Sequence, residues 1–335
     1  MKKYLIFRTD RVGDFIVSCI LIKSIKRHYP DSKITVICSK KNYNFVKTIN
    51  LVDKAILYPN SFFKKLAFYF FLSKNKFDCV LSLDGKKRSI FASSITKSKI
   101  KIFSVTKKYY KYFYFLSRKN FLYMSDYKTR IDEFKEILKK IGCNFSEKDL
   151  NIFDKENIRT NNNILKKIKA YSFNILHLDE KWTTGLYRGS KGIRNFYSIE
   201  PKKEELSIFI KELISKSKKK LLITSGEKNN FLLRHLIEEY QPITKLNNKF
   251  TKKKVIILDN LSFSDLIYII KKTNILITCH GSPSHIASSF NVKTIDIYDK
   301  NLHDFYFFWT SHLRRYNYVY RDDFKKLKRK IFKFI

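Results

Sequence analysis

The chain has 335 residues, with 69 Lys and Arg against 30 Asp and Glu, and a formal charge of +39. Its 44% hydrophobic and 16% aromatic content excludes a disordered chain, and its length predicts about two domains, because single cores stop growing near ~250 residues. The charge fits nucleic acid, anionic lipid or a phosphorylated substrate, and it equally fits a Lys-, Asn- and Ile-rich composition with no such partner.

Short β-rich runs alternate with helical patterns from the start. Lys3 to Thr9 reads as a strand, and Phe15 to His28 as a helix with apolar positions at Phe15, Val17, Ile20, Leu21 and Ile25. Lys33 to Cys38 is a second strand, followed by a helix near Asn42 to Thr48. Ala55 to Leu57 and Phe77 to Ser82 are strands separated by a Phe-rich helix, and Ile100 to Val105 closes this sheet. After a helix over Ile131 to Ile141, the polar stretch Asp154 to Lys169 reads as a domain junction. The pattern restarts with strands at Phe173 to Leu178, Lys220 to Thr224, Val255 to Leu258, Ile275 to Cys279 and Thr294 to Tyr298. Helices at Glu204 to Ser217, Phe231 to Tyr240, Phe263 to Lys271 and Ser284 to Phe290 alternate with them. Alternation at this spacing predicts βαβ units on parallel sheets. The expected fold class is α/β, with two Rossmann-like, doubly wound domains at 1–160 and 170–320 facing a central cleft. A basic helix over 321–335 is expected to pack back toward the first domain.

Ligands of open α/β sheets sit beyond the carboxyl ends of the strands, so the loops that follow strands are where chemistry is expected. The first is Arg8-Thr9-Asp10-Arg11-Val12-Gly13-Asp14. Asp14 either caps the helix it opens or acts as a general base, with Arg8 and Arg11 holding an anionic substrate. The second runs from Thr278 through His280-Gly281-Ser282-Pro283-Ser284-His285. Ser282-Pro283 reads as a capped helix start, and the same geometry offers backbone N–H groups to a diphosphate. His285, in the first turn, would be badly placed as a cation unless an anion offsets the helix dipole. In the third, His177 to Trp182, Lys181 is either a phosphate contact or a solvated lysine, and Trp182 either walls the site or belongs to the core. In the fourth, Glu227 of Ser225-Gly226-Glu227 either accepts from a ribose or begins a helix.

Five cysteines without a C-x-x-C pair fit reduced, buried thiols. The longest apolar run, Leu66 to Leu72, is far short of the ~20 residues of a membrane span. Only four apolar residues lie between Met1-Lys2-Lys3 and Arg8, too few for a signal peptide, so a cytoplasmic protein is expected. No D-x-D, G-x-x-x-x-G-K-[ST], G-x-G-x-x-G, H-E-x-x-H or G-x-S-x-G pattern occurs. Two segments, Phe62 to Phe71 and Lys107 to Tyr123, interleave Lys and Arg with Phe and Tyr. They suit an anionic membrane interface, single-stranded nucleic acid, or a core helix with solvated lysines.

The motifs R-T-D-R-V-G-D-F-I-V-S at 8–18, H-L-D-E-K-W at 177–182 and H-G-S-P-S-H-I-A at 280–287 resemble those of glycosyltransferase family 9, the lipopolysaccharide heptosyltransferase type. That resemblance implies a GT-B fold with the acceptor on the first domain and the nucleotide-sugar on the second. It implies inverting transfer of a heptose or related sugar, without metal or other cofactor, from a nucleoside-diphosphate donor, ADP-linked by expectation. The implied acceptor is a lipopolysaccharide core or similar anionic surface glycolipid, reached by peripheral contact at the cytoplasmic face of the inner membrane. Asp14 matches the base, with Arg8 and Arg11 toward the acceptor. Lys181 matches the donor-phosphate lysine; Gly281, Ser282, Ser284 and His285 match the diphosphate loop, Glu227 the ribose contact and Leu261 the base-packing side chain. His280 departs from the resemblance, occupying a position where the family often has Asp against the sugar. The alternative reading is a nucleic-acid-binding protein using the basic–aromatic surface.

Overall fold

The structure, a computed structural model, describes residues 1–105, 128–153, 160, 162–168, 172–182, 186–189, 192–195, 199, 201–225, 231–240, 254–259 and 261–335. It divides into two compact units, Met1–Ile152 and Phe153–Ile335. The division falls just ahead of the expected junction because Phe153 already belongs to the second unit. Its amide donates to Ser289 Oγ at 3.1 Å, and its ring stacks on Phe290 at 5.6 Å.

In the first unit, β1 (Lys3–Phe7), β2 (Lys33–Cys38), β3 (Lys54–Leu57), β4 (Lys76–Ser82) and β5 (Lys97–Phe103) form one parallel sheet in the order β3-β2-β1-β4-β5. The helices are α1 (Val12–His28), α2 (Tyr43–Val46), α3 (Phe62–Lys74), α4 (Lys87–Ile95) and α5 (Arg130–Lys140). Central strands read as near-continuous apolar runs because parallel strands are covered on both faces, and Tyr4 through Phe7 are all buried. The end of the unit is tied to α1 by Arg27, which meets the buried Asp149 carboxylate at 3.0 Å, and by Ser24 Oγ, which donates to it at 2.7 Å. Burial raises the Asp149 pKa, but the Arg27 and Ser24 hydrogen bonds and the Ser146 amide outweigh it and hold the carboxyl below its ordinary range.

In the second unit, β6 (Phe173–Leu178), β9 (Lys220–Ser225), β10 (Val255–Leu258), β11 (Ile275–Cys279), β12 (Lys293–Tyr298) and β13 (Tyr316–Tyr320) form a parallel sheet ordered β10-β9-β6-β11-β12-β13. A hairpin of β7 (Leu186–Gly189) and β8 (Gly192–Asn195) stands apart from it. The helices are α6 (Asn163–Ile168), α7 (Lys203–Ser217), α8 (Phe231–Tyr240), α9 (Phe263–Ile270), α10 (Ser282–Ser289), α11 (His303–Thr310) and α12 (Phe324–Phe332). Counted from its own first strand, this sheet has the order 3-2-1-4-5-6, and the first has 3-2-1-4-5. In both, the order reverses beside the first strand, where Rossmann-like sheets place their ligands.

The C-terminal helix α12 packs one face into the second unit. Phe324, Leu327 and Ile331, spaced along one helical face, lie in the second unit's core. The Phe324 ring meets Phe209 at 5.5 Å, and Lys328 reaches Glu212 at 2.9 Å. Strand β13 and helices α4 and α11 were not anticipated from sequence. Among the described residues no helix is long and apolar enough to cross a membrane. All five cysteines are free and buried.

Candidate functional site

At the first switch point, the loop after β1 meets the loop after β4. Arg8 is fully buried, with its Nε donating to the Asp14 carbonyl at 3.1 Å and Nη1 to the Leu83 carbonyl. Its guanidinium lies 3.3 Å from Asp10 and 3.8 Å from the Asp14 carboxylate. Arg8 therefore builds the loop from beneath, while Arg11, the residue preceding α1, is exposed. Asp14 sits in the first turn of α1, where one carboxylate oxygen accepts the Arg11 amide at 3.1 Å. The cap is thus real, and the other oxygen faces Arg8; its side chain keeps 31% exposure, enough to reach a substrate.

The loop after β4, Asp84-Gly85-Lys86-Lys87-Arg88, was not singled out from sequence. Asp84 accepts from the Thr9 amide at 3.1 Å, the Thr9 hydroxyl at 2.6 Å and Ser89 Oγ at 2.7 Å. Lys86 Nζ contacts the Thr9 carbonyl at 2.7 Å and Asp10 at 2.6 Å. Arg88 donates to Thr9 Oγ1 at 3.1 Å and lies over the Tyr58 ring. Gly85, at φ +61°, makes the turn that a side chain would strain. The available signal was a glycine at a strand end followed by three cations at a helix start, which the helix dipole disfavours.

At the second switch point, the loop after β6 meets the loop after β11. Lys181 Nζ lies 2.7 Å from Asp179 and also donates to the His280 carbonyl. Burial would lower the Lys181 pKa, but Asp179 outweighs it and holds the ammonium above its ordinary range. Arg321, just beyond β13, fixes the same loop by donating to the Lys181 carbonyl at 2.6 Å. A Cβ on Gly281 would stand 2.9 Å from Lys181 Nζ. Any other residue there would make the ammonium shift, while the φ of 178° is ordinary extended backbone that asks for no glycine.

Helix α10 starts one residue earlier than the Ser-Pro signature implied. Gly281 is the cap, Ser282 the first helical residue and Pro283 the second. Pro283 has no N–H, and the Ser284 amide turns to the Gly281 carbonyl at 3.2 Å. The donors this end presents are therefore those of Gly281 and Ser282. Ser284 is fully buried, and its hydroxyl donates to Asp296 at 3.0 Å. His285 is also buried, and burial, with His280 and His312 nearby, pushes its pKa well below the usual histidine range. Burial thus holds the ring neutral, and the conflict with the helix dipole that a cation would face does not arise. His280 Nδ1 meets the Asp296 carboxylate at 2.6 Å.

Trp182 is a core residue, its Nε1 donating to the His177 carbonyl at 2.9 Å. Leu261 lies half-buried just before α9. Glu227 and the basic–aromatic run Lys107 to Tyr123 lie outside the described residues. Burial pushes the Cys279 thiol up to about 12, so it offers no thiolate at the site. Among the described residues no three His, Cys, Asp or Glu side chains converge as metal ligands.

No family model and no curated protein matches the sequence. Solved structures do resemble the fold. The E. coli heptosyltransferase WaaC with ADP-2-deoxy-2-fluoro heptose superposes with a TM-score of 0.66 at 11% identity, over 99% of this chain and 99% of that one. A glycosyl transferase family 9 protein from Veillonella parvula gives 0.64 at 13% identity, over 100% of this chain and 90% of that one. A putative UDP-N-acetylglucosamine 2-epimerase from Listeria monocytogenes gives 0.55 at 11% identity, over 100% and 88%. The chain shares the GT-B type of fold with all three. Transferase and epimerase share it with each other, so the fold does not choose between their chemistries.

Proposed function

We propose that this chain is a glycosyltransferase that moves a heptose or related sugar from a nucleoside diphosphate, ADP-linked, to a lipopolysaccharide core or similar anionic glycolipid. The observation that carries the reading is the meeting of Lys181 with the His280–Ser282 turn at the second switch point. An ammonium held protonated by Asp179 stands beside two backbone donors at a helix N-terminus. That is a preorganised receptor for the charge a departing diphosphate gathers in the transition state. These groups can meet that charge without a metal ion, and in this reading transfer is metal-independent.

Asp14 takes the proton from the acceptor hydroxyl, whose oxygen attacks the anomeric carbon from the face opposite the leaving group, inverting it. The exposed Arg11 serves an anionic acceptor; Arg8 positions Asp14. The ADP-bound heptosyltransferase among the fold neighbours favours an adenine nucleotide. An epimerase reading has no comparable support, because the base at Asp14 belongs to the loop motif of the transferase resemblance. The chain works from solution at the cytoplasmic leaflet, touching anionic lipid through α3. There Phe62, Phe63, Leu66 and Phe70 are 67%, 80%, 51% and 63% exposed beside exposed Lys64 and Lys74.

Calorimetric titration of ADP, UDP and GDP without added metal tests the donor site. Saturable binding of one nucleotide is expected, weakened about 10- to 100-fold in Lys181→Ala, the worth of a charge-assisted hydrogen bond. Failure of all three nucleotides to bind, with tight salt-dependent binding of a single-stranded oligonucleotide, overturns the reading in favour of the nucleic-acid alternative.

A further inference from the structure

His280 and Asp296 form a pair that the loop geometry alone does not require. Asp296 is fully buried in the middle of β12, between the buried Ile295 and Ile297. Three donors converge on its carboxylate: His280 Nδ1 at 2.6 Å, Tyr316 Oη at 2.8 Å and Ser284 Oγ at 3.0 Å. Burying a carboxylate costs several kcal/mol unless such partners offset it, so a strand built only for packing would hold an aliphatic residue there.

The pairing fixes the imidazole. A carboxylate accepts, so the hydrogen sits on Nδ1, and the ring is wedged edge-on against His285 at 5.3 Å and Tyr306 at 4.8 Å. Among the described residues nothing bonds Nε2, and the side chain retains 10% exposure. His280 is also the residue whose carbonyl receives Lys181, so it belongs to the turn proposed to hold the diphosphate. We propose that His280, oriented by Asp296, is a proton-carrying contact for the phosphate oxygen at which the donor's sugar bond breaks. This rests on the donor-site reading above.

Charge balance gives the direction. Lys181 and Arg321 bring two positive charges to these loops, while Asp179, Glu180 and Asp296 bring three negative. A proton on His280 brings that count to zero, adding a third cation to the Lys181 ammonium and the backbone donors that already face a diphosphate. The other titratable groups packed on the ring do not supply that charge. Burial keeps His285 neutral and pushes His312 down to about 4, while it pushes the Tyr306 hydroxyl up to about 12 and the Tyr316 hydroxyl well above its usual range. The proposed contact brings a proton to Nε2 together with the nucleotide. In the transfer step the bond from the anomeric carbon to the β-phosphate oxygen breaks and its electron pair stays on that oxygen. The Nε2 proton passes to it, leaving neutral imidazole, while the acceptor proton goes to Asp14, so protons balance.

The test is calorimetry of ADP binding at one neutral pH in buffers of different ionisation enthalpy, which counts protons taken up. The wild type is expected to take up more protons than His280→Gln, approaching one more, and to bind ADP about tenfold more tightly. Asp296→Asn is expected to fall between them if it folds, and His280→Gln keeps the test decisive if it does not. Equal proton uptake by wild type and His280→Gln overturns this inference alone. No nucleotide binding by the wild type removes the donor site, and this inference with it.

Discussion

Asp14 carries two duties that one substitution separates. Its carboxylate caps α1 through the Arg11 amide at 3.1 Å and faces Arg8 at 3.8 Å. Asn retains an oxygen for the cap, so Asp14→Asn is expected to lower stability by less than about 1 kcal/mol. It cannot accept the acceptor's proton, so turnover is expected to fall at least about 100-fold. Thermal unfolding and sugar-transfer assays read the two effects, and retained turnover would move the base elsewhere. Lys181 and Asp14 were legible because their residue types follow strands at loop positions. Arg8 was legible as a loop residue but not in its role, because burial of its guanidinium depends on the Leu83 carbonyl, just past β4 and 75 residues away. Asp296 left a trace that was not read: an acid within an apolar parallel-strand run demands buried partners, and His280 is one of them.

Among the elements, α3 joins packing to partner. With 3.6 residues per turn, Phe62, Phe63, Leu66 and Phe70 fall within about 100° of one another, opposite Phe68 and Leu72, which enter the core with Tyr58. Phe91 of α4, 51% exposed, extends the patch by packing on Tyr69 at 5.3 Å. The sequence run Phe62 to Phe71 left membrane, nucleic acid and core packing open; the structure buries one face of it and leaves the other apolar and lysine-flanked. Replacing Phe63 and Phe70 together by Ser is expected to weaken sedimentation with vesicles rich in anionic lipid about tenfold or more, with little change in thermal stability, because neither ring is buried. Equal sedimentation of variant and parent would exclude this face. Strands such as Phe173–Leu178 and Ile275–Cys279 were readable to the residue because burial on both faces makes their runs continuous. The Asp84–Arg88 loop was not, because nothing local announces that it folds against Thr9. Strand β13 was missed although Tyr316 to Tyr320 is rich in the strand formers Tyr and Val.

For the molecule as a whole, buried histidines set an acid limit. Burial pushes His177 down to about 4 against an unfolded value near 6.5, and pushes His285 down as well. Below about pH 6.5 the unfolded chain takes up protons that the folded one refuses, so stability is present above that value and is lost as pH falls toward 4. His177 alone accounts for about 3 kcal/mol across that window, at about 1.4 kcal/mol per pH unit. The melting temperature is expected to drop between pH 6.5 and pH 4, and His177→Asn to flatten the decline. A melting temperature independent of pH in that window would show that these rings titrate normally.

The all-parallel order of both sheets also bears on how the chain is made. The first sheet is complete once β5 leaves the ribosome at Phe103, but β6 cannot gain its partner β11 so early. Ile175 pairs with Leu276, about a hundred residues later, which is roughly 5–20 s of synthesis. Until then β6 has only β9 for a neighbour, although all six of its side chains end up buried. Among the interior strands, the one that organises the second switch point thus waits longest for its second partner, and there a nascent chain depends most on chaperones.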